Sequence, residues 1–249
     1  MALSHSPRTL AIDIGGTHVK ASVLDAHGRM VALEVRASTP PQPSPSTLLD
    51  LIAELAQQLP AFDRISAGFP GYVARGQIRT APNLGTEQWQ GFALADALAE
   101  RLEKPARVLN DADVQGLGVI SGYGLECVLT LGTGIGSSLF KDGLLLPHLE
   151  LGQHPIRKDK TYDQYLGDAA LKKKGPAKWN RRLRRAIAIV TTLVNYDTLH
   201  LGGGNAAIIN FELPKNVQIA GNIGGITGGV RLWDERLDEC FSAKRETRV

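Results

Sequence analysis

Cysteine is almost missing from this chain: 249 residues contain two, Cys127 and Cys240, widely separated and in no CxxC pair. That argues against a disulfide framework or a cysteine-built zinc site and fits a reducing cytoplasm. Long apolar runs are missing too. None reaches the ~18 residues of a membrane span, and the opening stretch MALSHSPRTLAIDIGG has no apolar segment of signal-peptide length. A large excess of one charge is also absent. The 28 basic and 25 acidic residues leave a net +3, too little to imply nucleic acid as a partner. What remains, 43% hydrophobic and 21% charged residues, is the composition of a soluble globular protein of one large domain or two compact lobes.

Residues 8–14 (RTLAIDI) predict a buried strand before a Gly-Gly break, and 18–24 a second, turned by Asp25-Ala26-His27-Gly28 into a third at 29–37. Three successive strands make an antiparallel start, not a βαβ unit. The Pro/Ser stretch 38–46 reads as a loop, with Ser46 capping an amphipathic helix to about Leu59. Strands near 64–69 and 105–109 flank Gly/Pro-rich loops and a helix at 92–102. A helix from Asn110 or Asp111 leads to strands at 125–131 and 135–140, then an irregular stretch over 142–160. Helices at 161–172 and 176–195, a strand at 198–204 and a last helix from about 222 complete the reading. The order β-β-β-α-β-α-β appears once and then loosely again after residue 124. It predicts lobes at 1–109 and 110–249 with a ligand cleft between them, the last helix packing back on the first lobe.

Three glycine loops follow apolar strands. In Asp13-Ile14-Gly15-Gly16-Thr17-His18-Val19-Lys20, a tight strand-to-strand turn lets backbone N–H groups approach an anion. Thr17 and Lys20 add a hydroxyl and a charge, and Asp13 suits a metal's hydration shell. A plain hairpin turn is the alternative, and the dinucleotide fingerprint is excluded because no helix follows. Leu131-Gly132-Thr133-Gly134-Ile135-Gly136-Ser137 repeats the arrangement in the second half. Leu201-Gly202-Gly203-Gly204-Asn205 closes a strand, where missing side chains would admit a flat base or a phosphate, or simply form a flexible connection. Between the first two loops, Val108-Leu109-Asn110-Asp111-Ala112-Asp113 delivers a carboxylate to a helix start. Capping is the simple account, but it needs only one of Asn110, Asp111 and Asp113. Phosphoryl transfer to a hydroxyl needs a carboxylate as base, and Asp111 is placed for it.

The segments DIGGTHVK, GFPGYV (68–73), APNLG (81–85), LNDAD (109–113), LGTGIGSSL (131–139), Glu150-Leu151-Gly152 and LGGGN (201–205) resemble the ROK family of sugar kinases. The likeness is greatest to its polyphosphate glucokinase branch, through YLG…KK…KW…R…R and NYD…LGGGN over 165–205. The resemblance implies an α/β, actin-like ATPase (ribonuclease-H-like) fold of two lobes. It also implies a kinase that phosphorylates the 6-hydroxyl of glucose or a related hexose from polyphosphate and/or ATP. Asp13, Gly15, Gly16, Thr17 and Lys20, with Gly132, Thr133 and Gly134, would hold the donor phosphates and Mg²⁺. Gly203, Gly204 and Asn205 would line the donor path, and Asn83, Asn110, Asp111 and Glu150 would meet the sugar, with Asp111 as base. A homodimer is implied as well. The alternatives are an ATP-dependent kinase for mannose, fructose or an N-acetylhexosamine, and a catalytically silent sugar-binding protein. A sugar-sensing repressor is disfavoured because no helix-turn-helix precedes residue 8.

Departures from the family pattern are specific. The zinc-binding CxCGxxGC segment of many members is absent, so no zinc is expected, and His148 and His154 lack a complete ligand set. Gln153 stands where the pattern has histidine, with His154 one place later. A further acidic sugar ligand would fall at Asp163, one methylene shorter than glutamate.

Between Lys172 and Arg185, fourteen positions carry eight basic residues and no acid. In the helix after Pro176, Trp179, Leu183, Ala186, Ile187, Val190, Leu193 and Val194 share an arc of about 120°. Lys178, Arg181, Arg182, Arg184 and Arg185 take the other side, facing water. An ordinary solvated face would mix signs, since like charges four apart repel. This one predicts a polyanion such as polyphosphate at Lys178, Arg181, Arg182 and Arg185.

Overall fold

Two β-hairpins, one opening each half of the chain, organise the architecture. The computed structural model describes residues 6–221 and 224–241. These residues form two compact units: the chain up to Val114 with the segment from Gly225 onward, and Gln115–Gly224.

In the first unit β1 (Thr9–Ile14) pairs antiparallel with β2 (His18–Leu24), which pairs with β3 (Val35–Ser38). The third strand is shorter than expected. Residue Met30 makes only an isolated bridge to Leu24, and the Ser22 hydroxyl bonds the Ala32 carbonyl where a ladder would run. Helix α1 (Pro45–Ala56) starts two residues earlier than the sequence suggests: Pro45 sits in its first turn and Ser44, not Ser46, accepts the Thr47 N–H. Then come β4 (Arg64–Phe69), a small hairpin of β5 (Val73–Ala74) and β6 (Gln77–Ile78), α2 (Thr86–Trp89), α3 (Leu94–Leu102), β7 (Ala106–Asn110) and α4 (Asp111–Val119). The sheet order is β3-β2-β1-β4-β7, with β4 parallel to β1 and β7 parallel to β4. One face buries Leu10, Ile12 and Ile14 against Leu48, Ile52, Leu94 and Leu98.

The second unit repeats the plan. β8 (Leu125–Leu131), β9 (Ile135–Lys141) and β10 (Leu144–Leu145) form the antiparallel part. The stretch expected to be irregular also holds a 3₁₀ turn, Leu151–Gln153, and a hairpin of β11 (Pro155–Arg157) and β12 (Lys160–Thr161). Next are α5 (Tyr162–Leu166), α6 (Asp168–Lys174), α7 (Pro176–Val194), β13 (Thr198–Gly202) and β14 (Val217–Ile219). The order β10-β9-β8-β13-β14 matches the first sheet, with β13 parallel to β8 and to β14.

Three helical expectations need correction. The helix expected over 161–172 is two, broken at an extended Gly167 (ψ 172°) that lies against the Thr133 carbonyl. On α7, Trp179, Leu183, Ala186, Ile187 and Val190 are buried as the periodicity requires, but Leu193 is 58% exposed. Tyr196 enters the core past the helix end instead, its hydroxyl bonded to Thr191. The start of the expected last helix, at 222–223, lies outside the described residues. Beyond it run α8 (Gly224–Thr227), 3₁₀ turns and α9 (Asp238–Phe241) rather than one helix. This segment covers the other face of the first sheet: Ile226 packs with Ala11 and Leu24, and Trp233 donates to the Ser66 hydroxyl.

A buried carboxylate ties the second sheet together. Glu126 on β8 accepts from His200 of β13 at 2.9 Å, from the Ser121 N–H and hydroxyl, and from the Gly122 and Tyr123 N–H groups. Burial pushes this carboxyl up, but bonds from Ser121, His200 and Gly122 outweigh it and hold it below its ordinary value. A depressed carboxyl stabilises the fold at neutral pH and loses that contribution as pH falls below the usual glutamate range. Glu126→Gln should therefore cost about 1–3 kcal/mol at pH 7 and flatten the loss of stability between roughly pH 5 and 3. Urea unfolding with equal acid sensitivity in both proteins would rule this out.

Candidate functional site

Parallel register sets where the acidic and glycine-rich residues of the first unit lie. Asp13 is opposite Gly68, and Phe69 is opposite Asn110, so β1, β4 and β7 end at one edge. Ligands of open α/β sheets collect at that edge. Asp13 is half-buried there; burial raises its carboxyl pKa, Lys20 across the ladder lowers it, and Glu34 raises it. The loop after it is pinned by its backbone. Gly15 N–H donates to the His18 carbonyl at 2.9 Å, the Thr39 hydroxyl donates to the Gly15 carbonyl at 2.7 Å, and Thr39 N–H to the Thr17 carbonyl at 2.9 Å. Gly16 and Thr17 stay exposed, and a Cβ built on Gly16 would lie 3.5 Å from the Cβ of Asn83. Asp13, Gly15, Gly16, Thr17, Lys20 and Asn83 are thus gathered locally.

At the end of β7 the two neighbours divide their work. Asn110 is 5% exposed; its amide donates to the Gly71 carbonyl at 3.0 Å and its oxygen accepts the Ala112 N–H at 2.9 Å. It is the cap of α4 and a brace to the 69–71 loop. Asp111 follows, half-buried, with one carboxylate oxygen accepting its neighbour's N–H at 2.8 Å.

In the second unit β8 and β13 run parallel with Gly202 opposite Thr130, which sets the Gly132–Gly134 loop beside Gly203–Asn205. Asn205 donates to Asp168 at 2.6 Å, and Asp168 N–H to the Gly132 carbonyl at 3.0 Å. Asp163 sits against the other side of the loop: Oδ1 accepts the Ile135 N–H at 2.7 Å and Oδ2 accepts Gln153 Nε2 at 2.8 Å. Burial raises the Asp163 pKa and nearby Glu150 adds to the rise, with the bonds from Ile135 and Gln153 opposing. Glu150 is held by His148, whose Nε2 lies 2.6 Å from its carboxylate. Thr133 is exposed at the loop tip.

The glycines are not equivalent. Gly203 (φ 82°) is pressed on β8, where an added Cβ would lie 2.4 Å from the Leu131 carbonyl oxygen, so its missing side chain serves packing. Gly132 and Gly204 have nothing within 4 Å of an added Cβ. Those two are the open positions.

The basic helix face borders a groove. Arg157, Lys158 and Lys160 of the β11–β12 hairpin converge with Lys178, Arg181, Arg182 and Arg185 of α7 on a groove of about 510 Å³ floored by Tyr165. Sequence reasoning missed the hairpin cations, although three of the four residues at 157–160 are basic. Arg182 does not face water as expected: it stacks 4.5 Å from the Tyr165 ring and donates to the Tyr165 carbonyl. Arg184 turns aside onto Phe211. The crowding is electrostatically visible, since Lys178, partial burial, Lys173, Arg182 and Lys160 together depress the pKa of Lys174.

No group of three or more His, Cys, Asp or Glu side chains among the described residues could hold a metal ion. A Mg²⁺ ion needs no such cage, because it keeps several waters and binds through one carboxylate plus phosphate oxygens. Asp13, a half-buried carboxyl beside an anion-sized glycine loop, fits that donor set.

Two sheets of one order, each with a glycine turn in its first hairpin, define the α/β actin-like ATPase fold. A solved inorganic polyphosphate/ATP-glucomannokinase from Arthrobacter sp. strain KM superposes with a TM-score of 0.81 at 28% identity, covering 90% of this chain and 97% of that one. A model of the ROK family matches residues 9–147, and the chain belongs to that family. Polyphosphate glucokinases of Mycobacterium leprae and Mycobacterium tuberculosis (strain CDC 1551 / Oshkosh) are each 28% identical to it, over 79% and 78% of this chain. The chain spans 63% of the length of the first and 76% of the second.

The glycine contrast gives a direct test. Gly203→Ala should lower the thermal midpoint sharply, the left-handed backbone alone costing about 1–3 kcal/mol, whereas Gly204→Ala should leave it unchanged. Equal midpoints for the two variants would refute the packing role of Gly203.

Proposed function

We propose that this protein is a hexose kinase that transfers a phosphoryl group from polyphosphate or ATP to the 6-hydroxyl of glucose or a close relative. The observation that carries this reading is Asp111 at the common end of three parallel strands, with Asn110 supplying the helix cap and Asp13 and the Gly15–Gly16 loop at the same edge. Similarity to kinases named for polyphosphate and glucose adds the substrate class.

In the proposed reaction Asp111 accepts the proton of the sugar hydroxyl as its oxygen bonds to the terminal phosphorus. The phosphorus–oxygen bond to the donor breaks, and the shortened donor leaves with the electron pair. Glu150, oriented by His148, and Asn83 hold sugar hydroxyls. Backbone N–H groups of the two glycine loops, with Thr17, Lys20 and Thr133, hold donor phosphates. Mg²⁺ at Asp13 supplies charge neutralisation on those phosphates when bound. The lysine- and arginine-lined groove takes the distal part of a long polyphosphate. Tyr165, which lines this groove, is two residues from Gly167, which abuts the Thr133 carbonyl, and this closeness within one unit supports the reading. A cytoplasmic setting, suggested by two free thiols, and a homodimer belong to the same reading; light scattering tests the latter.

The first test is Asp111→Asn, which keeps size and removes the base. It should reduce kcat by about 100-fold or more, with the fold intact and sugar affinity much less affected; near-parental turnover would remove Asp111 from the chemistry. A second test addresses the donor. Replacing Lys160, Arg181 and Arg185 with Gln, while sparing the Tyr165-bound Arg182, should raise KM for long polyphosphate about several-fold and weaken its salt dependence, by analogy with other polyanions. KM for ATP should change little. Equal shifts for both donors, or a parent without polyphosphate activity, would leave the groove without this role.

A further inference from the structure

Asp163 occupies a position where the family resemblance places a sugar ligand, but its surroundings assign it other work. Both carboxylate oxygens are already engaged with protein, one by the Ile135 N–H and one by the Gln153 amide. Those partners belong to different segments. Ile135 follows the Gly132–Gly134 loop directly, and Gln153 ends the 3₁₀ turn that begins after Glu150. The fit around the carboxylate is close on both sides. A Cβ added to Gly134 would lie 3.0 Å from it, and one added to Gly152 would lie 2.6 Å from Oδ1 and 2.5 Å from the Ile135 carbonyl. Asp163 itself is fixed at the start of α5, where Thr161 and Gln164 form a reciprocal capping box around it.

We propose that Asp163, with Gln153, is a positioning pair that clasps the Glu150 turn to the phosphate loop, and that it does not bind the sugar. The chemistry is self-consistent: two residues that depart from the family pattern in this chain meet each other, a shorter acid reaching an amide in place of an imidazole. An amide donates to the carboxylate at any pH, so the clasp carries no titrating partner at residue 153. The shorter side chain draws the carboxylate onto the Ile135 N–H instead of outward. Glu150, which His148 holds from one side, is then held from the other through its own turn. This inference rests on the kinase reading, in which Glu150 meets the sugar and Gly132–Gly134 meets the donor.

The test is steady-state kinetics on the full chain with a hexose panel and both donors, run well below each variant's thermal midpoint. Asp163→Asn keeps an oxygen for the Ile135 N–H and offers its NH₂ to the Gln153 oxygen after an amide flip; kcat and both KM values should stay within about 1.5-fold of the parent. Asp163→Ala frees loop and turn together and should lower kcat about tenfold or more while raising KM for both sugar and donor. Gln153→Ala, at an exposed residue, should raise KM for the sugar about threefold and leave the donor KM alone. Rescue by Asn against loss by Ala is the result that supports the clasp. Asp163→Asn failing as badly as Ala, with the change confined to sugar KM and to the preference among hexose epimers, would make Asp163 a sugar ligand and overturn it. So would an Asp163→Ala protein that loses only thermal midpoint and keeps parental kinetics. A parent that phosphorylates no hexose would instead sink the kinase reading and the clasp with it.

Discussion

The register of three parallel strands, with Asp13 beside Gly68 and Phe69 beside Asn110, is the constraint on which the acidic, glycine-rich edge of the first unit depends. Because side chains alternate along a strand, a slip of one residue would exchange the two faces of each strand. Leu10, Ile12 and Ile14 fill one face of β1 and the small Thr9 and Ala11 lie on the other, both buried, so such a slip would fit neither. Register therefore delivers an acid, a glycine turn and a second acid to one edge. The second unit uses the same device, with Gly202 beside Thr130 bringing two glycine segments together.

Carboxylates in this protein differ by what surrounds them rather than by type. Glu126 is wholly enclosed and satisfied by five donors, so it stays charged and structural. Asp163 shares its charge between two segments of the second unit. Asp13 is raised by burial and steadied by Lys20, an environment that would welcome a further cation. Asp111 stands where Asn110 has taken the capping duty. Burial opposes charge in each buried case; the number and direction of N–H groups decide the outcome.

Positive charge is distributed by the opposite logic. Seven cations border one groove, and mutual repulsion depresses the pKa of Lys174 nearby. Such crowding works against stability when no anion is present, and Arg182 is kept in place by stacking and a carbonyl instead of by an acid.

The sequence by itself determined the strand hairpins, the doubled order of elements, the three glycine loops, the acid at the end of β7 and the apolar stripe of α7. Each is a local signal: period-two or period-3.6 burial, a turn residue, or a short string of residues adjacent in the chain. Tertiary structure alone decided which of these residues are packed and which are open. Gly203 and Gly204 are adjacent and read alike, but only contact with Leu131 separates a packing glycine from an open one. Asn110 and Asp111 likewise became distinct only through the carbonyls of the 69–71 loop. The groove joined hairpin residues 157–160 to a helix some twenty positions later, and Asp163 met Gln153 ten residues away. These pairings arise from how separate elements close on one another, a long-range property that spacing along the chain does not encode.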